Sequence, residues 1–406
     1  MEVLHERCCG LDVHKKSITA CIITTEGKEI RTFATMTRNL IELVDWVKSN
    51  RCSHVAMEST GDYWKPIYNL LEPEDLHPVL VNAQHIKAVP GRKTDVKDAE
   101  WIARLLRHGL VQGSFVPSRE QRELREIVRY RRSIVEERAR EVNRIQKVLE
   151  GGNIKLSSVA SNILGVSARN MLEAMIKGEE DVVILADFAQ KKLKTKKEEL
   201  KLALDGRLAA HQLSMIEKQL GHIDYLDGLI KELDEEIEKR MLPFSKELKL
   251  LDTIPGVGRR TAEQILAEIG TDMTRFPTAG HLCSWAGMTP GHDESAGKKK
   301  STKTRKGNKK LRSALTEAAR AAARQKDTYL SAQYHRIAVR RGKNRAAIAV
   351  GHTILCLVYV LLTREQAYID LGYDYFNQRK KEILITQSIK KLESLGLIVT
   401  IQEQTA

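Results

Sequence analysis

Short apolar runs separated by polar turns fill the first 115 residues of the chain. Three β-rich runs cover residues 8–13, 17–24 and 29–36, with Glu26 and Gly27 as a turn signal before the third. Runs punctuated in this way predict an antiparallel meander. The segments that follow read as helix, strand, helix, strand and helix: residues 41–49, a strand ending at Glu58, 63–71, 77–81 and a helix beginning near Val96. This alternation predicts an α/β domain whose sheet is covered on at least one face.

Helical periodicity replaces this pattern in the next part of the chain. Between Arg119 and Arg144, nine Arg and six Glu alternate with apolar residues, which predicts a long charged amphipathic helix. Gly151 and Gly152 end this helix, and a second long pattern covers residues 188–241. Two such helices in succession predict a helical hairpin or coiled coil.

The last part of the chain reads as mainly helical. Residues 248–323 open with the turn sequence IPGVG at 254–258, continue into a helix at 261–269 and contain a lysine-rich loop. A helical extension runs from residue 329 to the end. Its apolar stretch at 346–362 is shorter than the ~20 residues that a membrane span requires, so we predict a buried helix and no membrane partner.

The predicted fold class is therefore α/β plus α. A chain of 406 residues is too long for one hydrophobic core, so several domains are expected. We predict an α/β domain at 1–115, a helical coiled-coil linker at 116–245, a mainly helical domain at 246–328 and a helical extension at 329–406.

The net charge indicates which kind of molecule the protein binds, and the cysteine content indicates the cellular compartment in which it works. The 67 Lys and Arg residues outnumber the 53 Asp and Glu residues and give a net charge of +14. A protein this basic is expected to bind a polyanion, most often nucleic acid. The N-terminus lacks an apolar signal core, which predicts a cytoplasmic protein. The six cysteines show no Cys/His zinc spacing and are expected to be small buried side chains in a reducing compartment.

Four carboxylates lie where packing alone explains them poorly. Asp12 interrupts an apolar run, Glu58 ends another, and Asp95 and Asp98 lie three residues apart at the start of a helical pattern. A buried carboxylate costs several kcal/mol unless it is paired or holds a metal. An RNase H-like fold places acids in this order, and two Mg²⁺ ions could then bridge a scissile phosphate. The simpler alternative makes Asp95 an N-cap and Asp98 a first-turn acid, but no cap explains Asp12.

A small serine beside dense positive charge is the second candidate for chemistry. Ser295 lies between Gly291 and Gly297, and such a hydroxyl could attack a phosphodiester while cations stabilise the charge that develops. Its nearest possible helpers are His292 and Asp293. The spacing by itself equally fits a flexible loop with a solvated serine, which is the commoner case.

Phosphate-binding groups are predicted in the same region. Gly256 and Gly258 resemble the turn of a helix-hairpin-helix, which can direct backbone N–H groups at a DNA phosphate, although a plain turn has the same sequence. The basic run supplies nine further predicted contacts: Lys298, Lys299, Lys300, Lys303, Arg305, Lys306, Lys309, Lys310 and Arg312.

Several short motifs resemble those of the Asp-Glu-Asp-Asp (DEDD) insertion-sequence transposases. The N-terminal motifs are GLDVHK at 10–15, MESTG at 57–61 and KTDVKDA at 93–99. The sequences IPGVG, FP, WAGMTP, SAGK and KGNKKLR, between residues 254 and 312, are similar to the C-terminal transposase domain of that family. The resemblance implies a RuvC-type RNase H fold that binds Mg²⁺ through the carboxylates Asp12, Glu58, Asp95 and Asp98.

The same resemblance implies a mechanism and partners. Ser295 would attack DNA and form a covalent phosphoserine, in a composite site between subunits of a dimer or tetramer. Similar proteins are guided by a structured bridge RNA that pairs with target and donor DNA, which implies a nucleoid-associated recombinase. Ala296 stands where the family usually has a second glycine, so Ser301 is the next candidate nucleophile. The alternative is a metal-dependent RuvC-like nuclease in which water attacks and the serine is idle.

Overall fold

The computed structural model describes residues 2–58, 61–81, 98–111, 113–291, 293–295, 298–301 and 303–400. For 293–295, 298–301, 377, 379–380 and 382–384 it describes the backbone only. The chain divides into two compact units, Met1–Val116 and Pro117–Ala406.

The N-terminal unit is an α/β sheet structure. Its elements are β1 (Cys8–Val13), β2 (Ser17–Ile23), β3 (Lys28–Ala34), α1 (Thr37–Ser49), β4 (His54–Glu58), α2 (Trp64–Leu71), β5 (His77–Val81) and α3 (Asp98–Arg107). The five strands lie in the order β3-β2-β1-β4-β5. The first three strands form the predicted antiparallel meander, while β4 pairs parallel with both β1 and β5. The predicted α/β class is confirmed.

Helices cover both faces of this sheet, because successive strand side chains point to opposite sides. Leu11 of β1 and Met57 of β4 are fully buried on the face covered by α1 and α2. Cys8 and Ala56 face the other way and pack against Ile102 of α3. The two apolar layers fix which way every residue of β1 and β4 points.

Helix α3 approaches β1 closely at Gly10. A Cβ atom at Gly10 would overlap the carbonyl O of Ala99 and the backbone N of Ala103. The thiol of Cys8 also donates to the carbonyl O of Ala103, at 3.5 Å. The helix backbone therefore lies directly on the strand, with no side chain between them.

The C-terminal unit is mainly helical. Its helices are α4 (Arg119–Gly151), α5 (Leu156–Val159), α6 (Val166–Ile176), α7 (Val182–Asp187), α8 (Lys197–Leu204), α9 (Ala210–Met241), α10 (Ser245–Asp252), α11 (Arg259–Ile269), α12 (Ala279–Trp285), α13 (Lys309–Ala322), α14 (Tyr329–Arg341), α15 (Lys343–Arg364) and α16 (Tyr375–Glu393). Short 3-10 turns lie at Lys191–Lys196, Leu242–Phe244 and Met273–Arg275. A two-stranded hairpin, β6 (Asp293–Ser295) and β7 (Lys298–Ser301), precedes α13.

The two long helices α4 and α9 pair antiparallel, as a helical hairpin requires. Arg131 forms an ion pair with Asp234, and His222 lies 2.9 Å from Glu141, so partners advance in opposite directions along the two helices. The second helix begins at Ala210, whereas the apolar pattern had predicted a start near residue 188. The intervening residues instead fold into short helices, whose apolar side chains such as Leu200 are buried in one core with Leu149 of α4 and Ile216 of α9.

Helix α15 is the long apolar helix of this unit. Its length and composition would allow a membrane span, but 50% of its apolar window is buried inside the protein. Val350, Ile354 and Leu355 are fully buried where α15 packs on α12, α13 and α14. The prediction of a buried helix is confirmed.

A buried carboxylate, that of Glu268, joins the helical hairpin of α4 and α9 to the rest of the C-terminal unit. Glu268 of α11 is 3% exposed and accepts hydrogen bonds from Arg129, at 2.7 and 2.8 Å, and from the side-chain amide of Asn308, at 2.6 Å. Arg125 lies 3.3 Å from the same carboxylate, and burial lowers the pKa of this guanidinium to about 10, although Glu268 opposes the shift. Gln121 donates to the carbonyl groups of Leu266 and Ala267, so α4 satisfies the last carbonyls of α11.

Replacing Gly10 by alanine should destabilise the N-terminal unit by about 1–3 kcal/mol, because the added methyl group forces the α3 backbone off β1. Denaturant unfolding followed by tryptophan fluorescence measures this, since three of the four tryptophans, Trp46, Trp64 and Trp101, lie in this unit. Gly221→Ala is the matched control: nothing lies within 4 Å of its position in α9, so stability should stay equal or rise slightly. Equal stability of both variants would contradict the close approach.

Glu268→Ala should destabilise the C-terminal unit by about 3–5 kcal/mol, because it leaves two arginines near a buried site without their carboxylate. Urea unfolding followed by circular dichroism measures the loss, since helices dominate this unit. Glu198→Ala, which breaks an exposed pair with Lys201, should leave the midpoint unchanged. A midpoint for Glu268→Ala equal to that of the control would refute the role of this carboxylate.

Candidate active site

Two of the predicted catalytic acids lie side by side at one edge of the sheet. The parallel register pairs Leu11 with Met57, so Asp12 and Glu58 occupy the next position on each of two neighbouring strands. Because Leu11 and Met57 point into the α1/α2 core, the two acids point to the opposite face. Neighbouring strands lie about 4.8 Å apart, and both acids are half-buried.

Helix α3 brings a third acid to the same face. Cys8 contacts Ala103, whereas Gly10 contacts Ala99 as well as Ala103, so the helix runs antiparallel to β1. Its first residue, Asp98, consequently lies toward the end of β1 that carries Asp12. The Oδ1 atom of Asp98 is buried. The fourth predicted acid, Asp95, lies outside the described residues.

The acidic cluster is open rather than closed around one point. Among the residues that the structure describes, no three carboxylate or imidazole groups of this cluster have ligand atoms all within 4.8 Å of one another. Carboxylate oxygens converging from two strands and a helix are the donor type that Mg²⁺ prefers. Asp12, Glu58 and Asp98 therefore fit a divalent cation site whose side chains would draw inward around the ion.

Glu100, in the same helix as Asp98, is a buried acid whose charge is neutralised by neighbouring cations. Its buried carboxylate accepts a hydrogen bond from Lys28 at 2.8 Å and pairs with Arg104. The hydrogen bond from Lys28, together with Arg104, lowers the pKa of this carboxyl. Two cations already neutralise Glu100, so this residue is not a candidate metal ligand.

His14 is a site residue that the sequence reasoning missed. Its Nε2 atom lies 3.1 Å from Oδ2 of Asp12, and the imidazole is 64% exposed while Asp12 is 16% exposed. The signal was present in the sequence, because residues two apart in extended chain point to the same side. The ring lies beside the acidic cluster and faces solvent.

The serine lies in a hairpin rather than in the expected lysine-rich loop. Ser295 ends β6 and pairs with Lys298, with two residues between them, so it lies at the tip. Ser301 pairs with Asp293 at the open end. The side chains of Ser295, Ser301 and Lys298, Lys299 and Lys300 lie outside the described atoms, as does His292. Their predicted roles stay predictions.

The base of this hairpin is held by close backbone packing. A Cβ atom on Gly307 would overlap the backbone of Gly287, so the chain segments on either side of the hairpin cross in direct contact. Asn308 then caps α13, accepting from the backbone N–H groups of Lys310 and Leu311 at 3.1 Å. Its amide N–H also donates to Glu268. Asn308 thus links the base of the β6–β7 hairpin to the buried carboxylate of Glu268.

A basic surface lies next to the hairpin. Lys303, Arg305, Lys306, Lys309 and Lys310 are exposed, and Arg312 is half-buried. A groove of about 490 Å³ along α13 is lined by Lys309 and Arg312 and also by Arg320 and Asn344, which the sequence reasoning did not single out. The groove thus carries cations from two successive parts of α13, with the start of α15 as its other wall.

The two glycines of the IPGVG turn differ in their surroundings. A Cβ atom on Gly256 would overlap the backbone of Ala318 and Ala322 in α13, and its φ of +85° favours glycine, so packing explains this residue. Gly258 precedes the first residue of α11 and has no atom within 4 Å of its Cβ position. Of the two, Gly258 has the open surroundings that a phosphate contact requires.

Comparison with known proteins finds two matching family profiles and several related proteins. A profile of the IS110-type DEDD transposases matches residues 9–154, and one of the transposase IS116/IS110/IS902 family matches residues 248–336. The transposase for insertion sequence element IS1111A of Coxiella burnetii is 26% identical over 373 residues, 88% of this chain and 90% of that protein. The pilin gene-inverting protein of Moraxella lacunata is 25% identical over 323 residues, 75% of this chain and 80% of that protein.

The matched segments coincide with the candidate chemistry. The first contains the acidic residues Asp12, Glu58, Asp95 and Asp98, and the second contains Ser295 and the basic run. A further relative, the probable family 20 transposase of Pseudomonas aeruginosa, is 25% identical over 322 residues, 77% of this chain and 85% of that protein. This chain belongs to the IS110-type family of DEDD transposases.

Proposed function

We propose that this transposase cuts and rejoins DNA through a covalent serine–phosphate intermediate, with the acids of its RNase H-like N-terminal unit holding Mg²⁺. One observation carries the metal part of the proposal: Asp12 and Glu58 lie side by side near the carboxyl ends of adjacent parallel strands, on the face covered by the helix that begins at Asp98. That arrangement supports the RuvC-type interpretation of the fold. Asp95 would complete the quartet.

The chemistry of the serine is a transesterification. The Oγ atom of Ser295 attacks phosphorus, the bond to the leaving sugar oxygen breaks, and that oxygen takes up a proton as a free hydroxyl. The serine ester conserves the phosphodiester energy, so attack by another DNA hydroxyl rejoins the strand without ATP. A bound Mg²⁺ would polarise the phosphate and favour ionisation of the attacking hydroxyl.

The position of Ser295 favours it over Ser301 as the nucleophile. Ser295 ends β6 beside the two-residue connection, whereas Ser301 lies at the open end of the hairpin near its packed base. A residue at a hairpin tip can enter a groove of DNA that the base cannot reach. The proposal requires the acids and Ser295, from one chain or from two copies in a dimer or tetramer, to act on the same phosphate.

The basic groove supports nucleic acid as the partner. Lys309, Arg312 and Arg320 bring positive charge to one surface beside the hairpin, which suits a phosphate backbone. Contacts to phosphate carry no sequence information, so the choice of DNA site needs another source of specificity. We propose that a structured bridge RNA, paired with target and donor DNA, supplies it.

Ser295→Ala should abolish the protein–DNA adduct, because no other hydroxyl stands at the hairpin tip. The measurement is denaturing electrophoresis of labelled donor DNA incubated with the protein, Mg²⁺ and copurifying RNA. Ser301→Ala is the matched control and should retain the adduct. Continued DNA cleavage by Ser295→Ala would instead identify a metal-dependent nuclease in which water attacks.

Asp12→Asn should lower the cleavage rate by at least about 100-fold, equivalent to ~3 kcal/mol of transition-state stabilisation, because it removes a metal-binding charge with little change in shape. Single-turnover cleavage at saturating Mg²⁺ measures this, and gel-shift assays should show unchanged DNA binding. Glu26→Gln, at an exposed turn of the same unit, serves as the control. A cleavage rate for Asp12→Asn equal to that of wild type would remove the acids from the mechanism.

A further inference from the structure

Two cysteines and a histidine meet in the C-terminal unit, far from the acidic cluster in sequence. Cys283 of α12 has its Sγ atom 3.6 Å from Sγ of Cys356 in α15, and Nδ1 of His352 lies 3.8 Å from the latter. His352 and Cys356 are four residues apart and share one face of α15. All three ligand atoms lie within 4.8 Å of one another.

These separations match those around a tetrahedral zinc ion. Two Zn–S bonds of about 2.3 Å at a tetrahedral angle place the sulfur atoms about 3.8 Å apart, and a Zn–N bond of about 2.0 Å places nitrogen about 3.5 Å from sulfur. Thiolate and imidazole are the donors that zinc prefers over oxygen-binding cations such as Mg²⁺. The side chains need only small movements to bind an ion between them.

The surroundings of the cluster also suit a bound metal. Cys283 is fully buried, while His352 and Cys356 are half-buried, so the site has an enclosed side and an accessible side. The enclosed thiol would lose its proton when a metal binds.

The remaining cysteines provide a contrast within the same chain. Cys8, Cys9, Cys21 and Cys52 are buried among the apolar side chains of the N-terminal unit and have no His, Asp or Glu ligand group beside them in a metal-sized cluster of described residues. These four agree with the prediction of small buried side chains. For Cys283 and Cys356 that prediction is incomplete, because the Cys/His grouping forms between helices separated by about 70 residues and leaves no zinc spacing in the sequence.

We propose that Cys283, His352 and Cys356 form a zinc-binding site that fastens α12 to α15, with water as the fourth ligand. Helix α12 leads directly to Gly287, which crosses Gly307 at the base of the serine-bearing hairpin. Zinc at this point ties the base of the hairpin to the buried helix α15. The site is thus a structural anchor beneath the hairpin.

Metal analysis of the full-length protein tests the proposal. Protein purified without chelators should contain about one zinc per chain by inductively coupled plasma mass spectrometry. Cys283→Ser, His352→Ala and Cys356→Ser should each lose most of this zinc. Cys52→Ser and Asp12→Asn are the controls and should keep it, the second showing that the zinc is not held by the acidic cluster.

A measurement on the unaltered chain guards against variants that fail to fold. After chelation, the thermal midpoint of the wild-type protein should fall and zinc should restore it. Cobalt(II) added to this apoprotein should give visible d–d bands of tetrahedral cobalt and a thiolate charge-transfer band, both displaced by zinc.

Three results would each overturn the inference. The first is a reduced wild-type protein that takes up neither zinc nor cobalt. The second is a zinc content unchanged in all three cluster variants. The third is a Cys283–Cys356 disulfide, seen as the loss of two hydrogens by mass spectrometry in protein never exposed to oxidant, which would make the pair a redox couple instead.

Discussion

The C-terminal unit depends on one buried negative charge. The carboxylate of Glu268 contacts Arg125 and Arg129, which lie one helical turn apart in the long helix α4. It also accepts a hydrogen bond from Asn308, at the start of α13. A buried carboxylate is costly alone, so its partners must stay in place for the fold to be stable. Asn308 is also the N-cap of α13, the helix that follows the β6–β7 hairpin. Glu268 therefore helps to hold in place both α4 and the start of the basic helix next to Ser295.

In the N-terminal unit the equivalent constraint is steric. The absence of a side chain at Gly10 allows α3 to lie on β1, and this contact fixes the position of the first turn of α3 relative to Asp12. Apolar packing on the opposite face fixes the direction of Asp12 and Glu58. The backbone positions of the acids are thus set by apolar packing and by a close helix–strand contact.

The sequence predicted well those elements whose pattern is local. The strands Cys8–Val13 and His77–Val81 lie where alternating apolar residues and flanking turns indicated, and α4 follows its charged amphipathic pattern to Gly151. The order of the acids along the chain also predicted that Asp12 and Glu58 belong together. That inference succeeded because parallel neighbouring strands end at the same edge of a sheet.

The features that the sequence did not predict arise from contacts between distant segments. The hairpin β6–β7 contains the run Lys298–Ser301, which has no apolar alternation to mark a strand. The short helices between α4 and α9 were not predicted separately, because their apolar residues continue the periodicity of α9 and share one core with the ends of both long helices. The grouping of Cys283 with His352 and Cys356 joins two helices about 70 residues apart, so no short motif in the sequence marks it.

The length of the paired helices has a mechanical consequence. At about 1.5 Å per residue, the 33 residues of α4 extend for about 50 Å, roughly the length of fifteen base pairs of duplex DNA. One long helix, α4, therefore connects the core at the far end of the pair with the buried Glu268 near its own start. A force applied at that distant core would act along α4, as on a lever, on Glu268 and through Asn308 on the helix that follows Ser295.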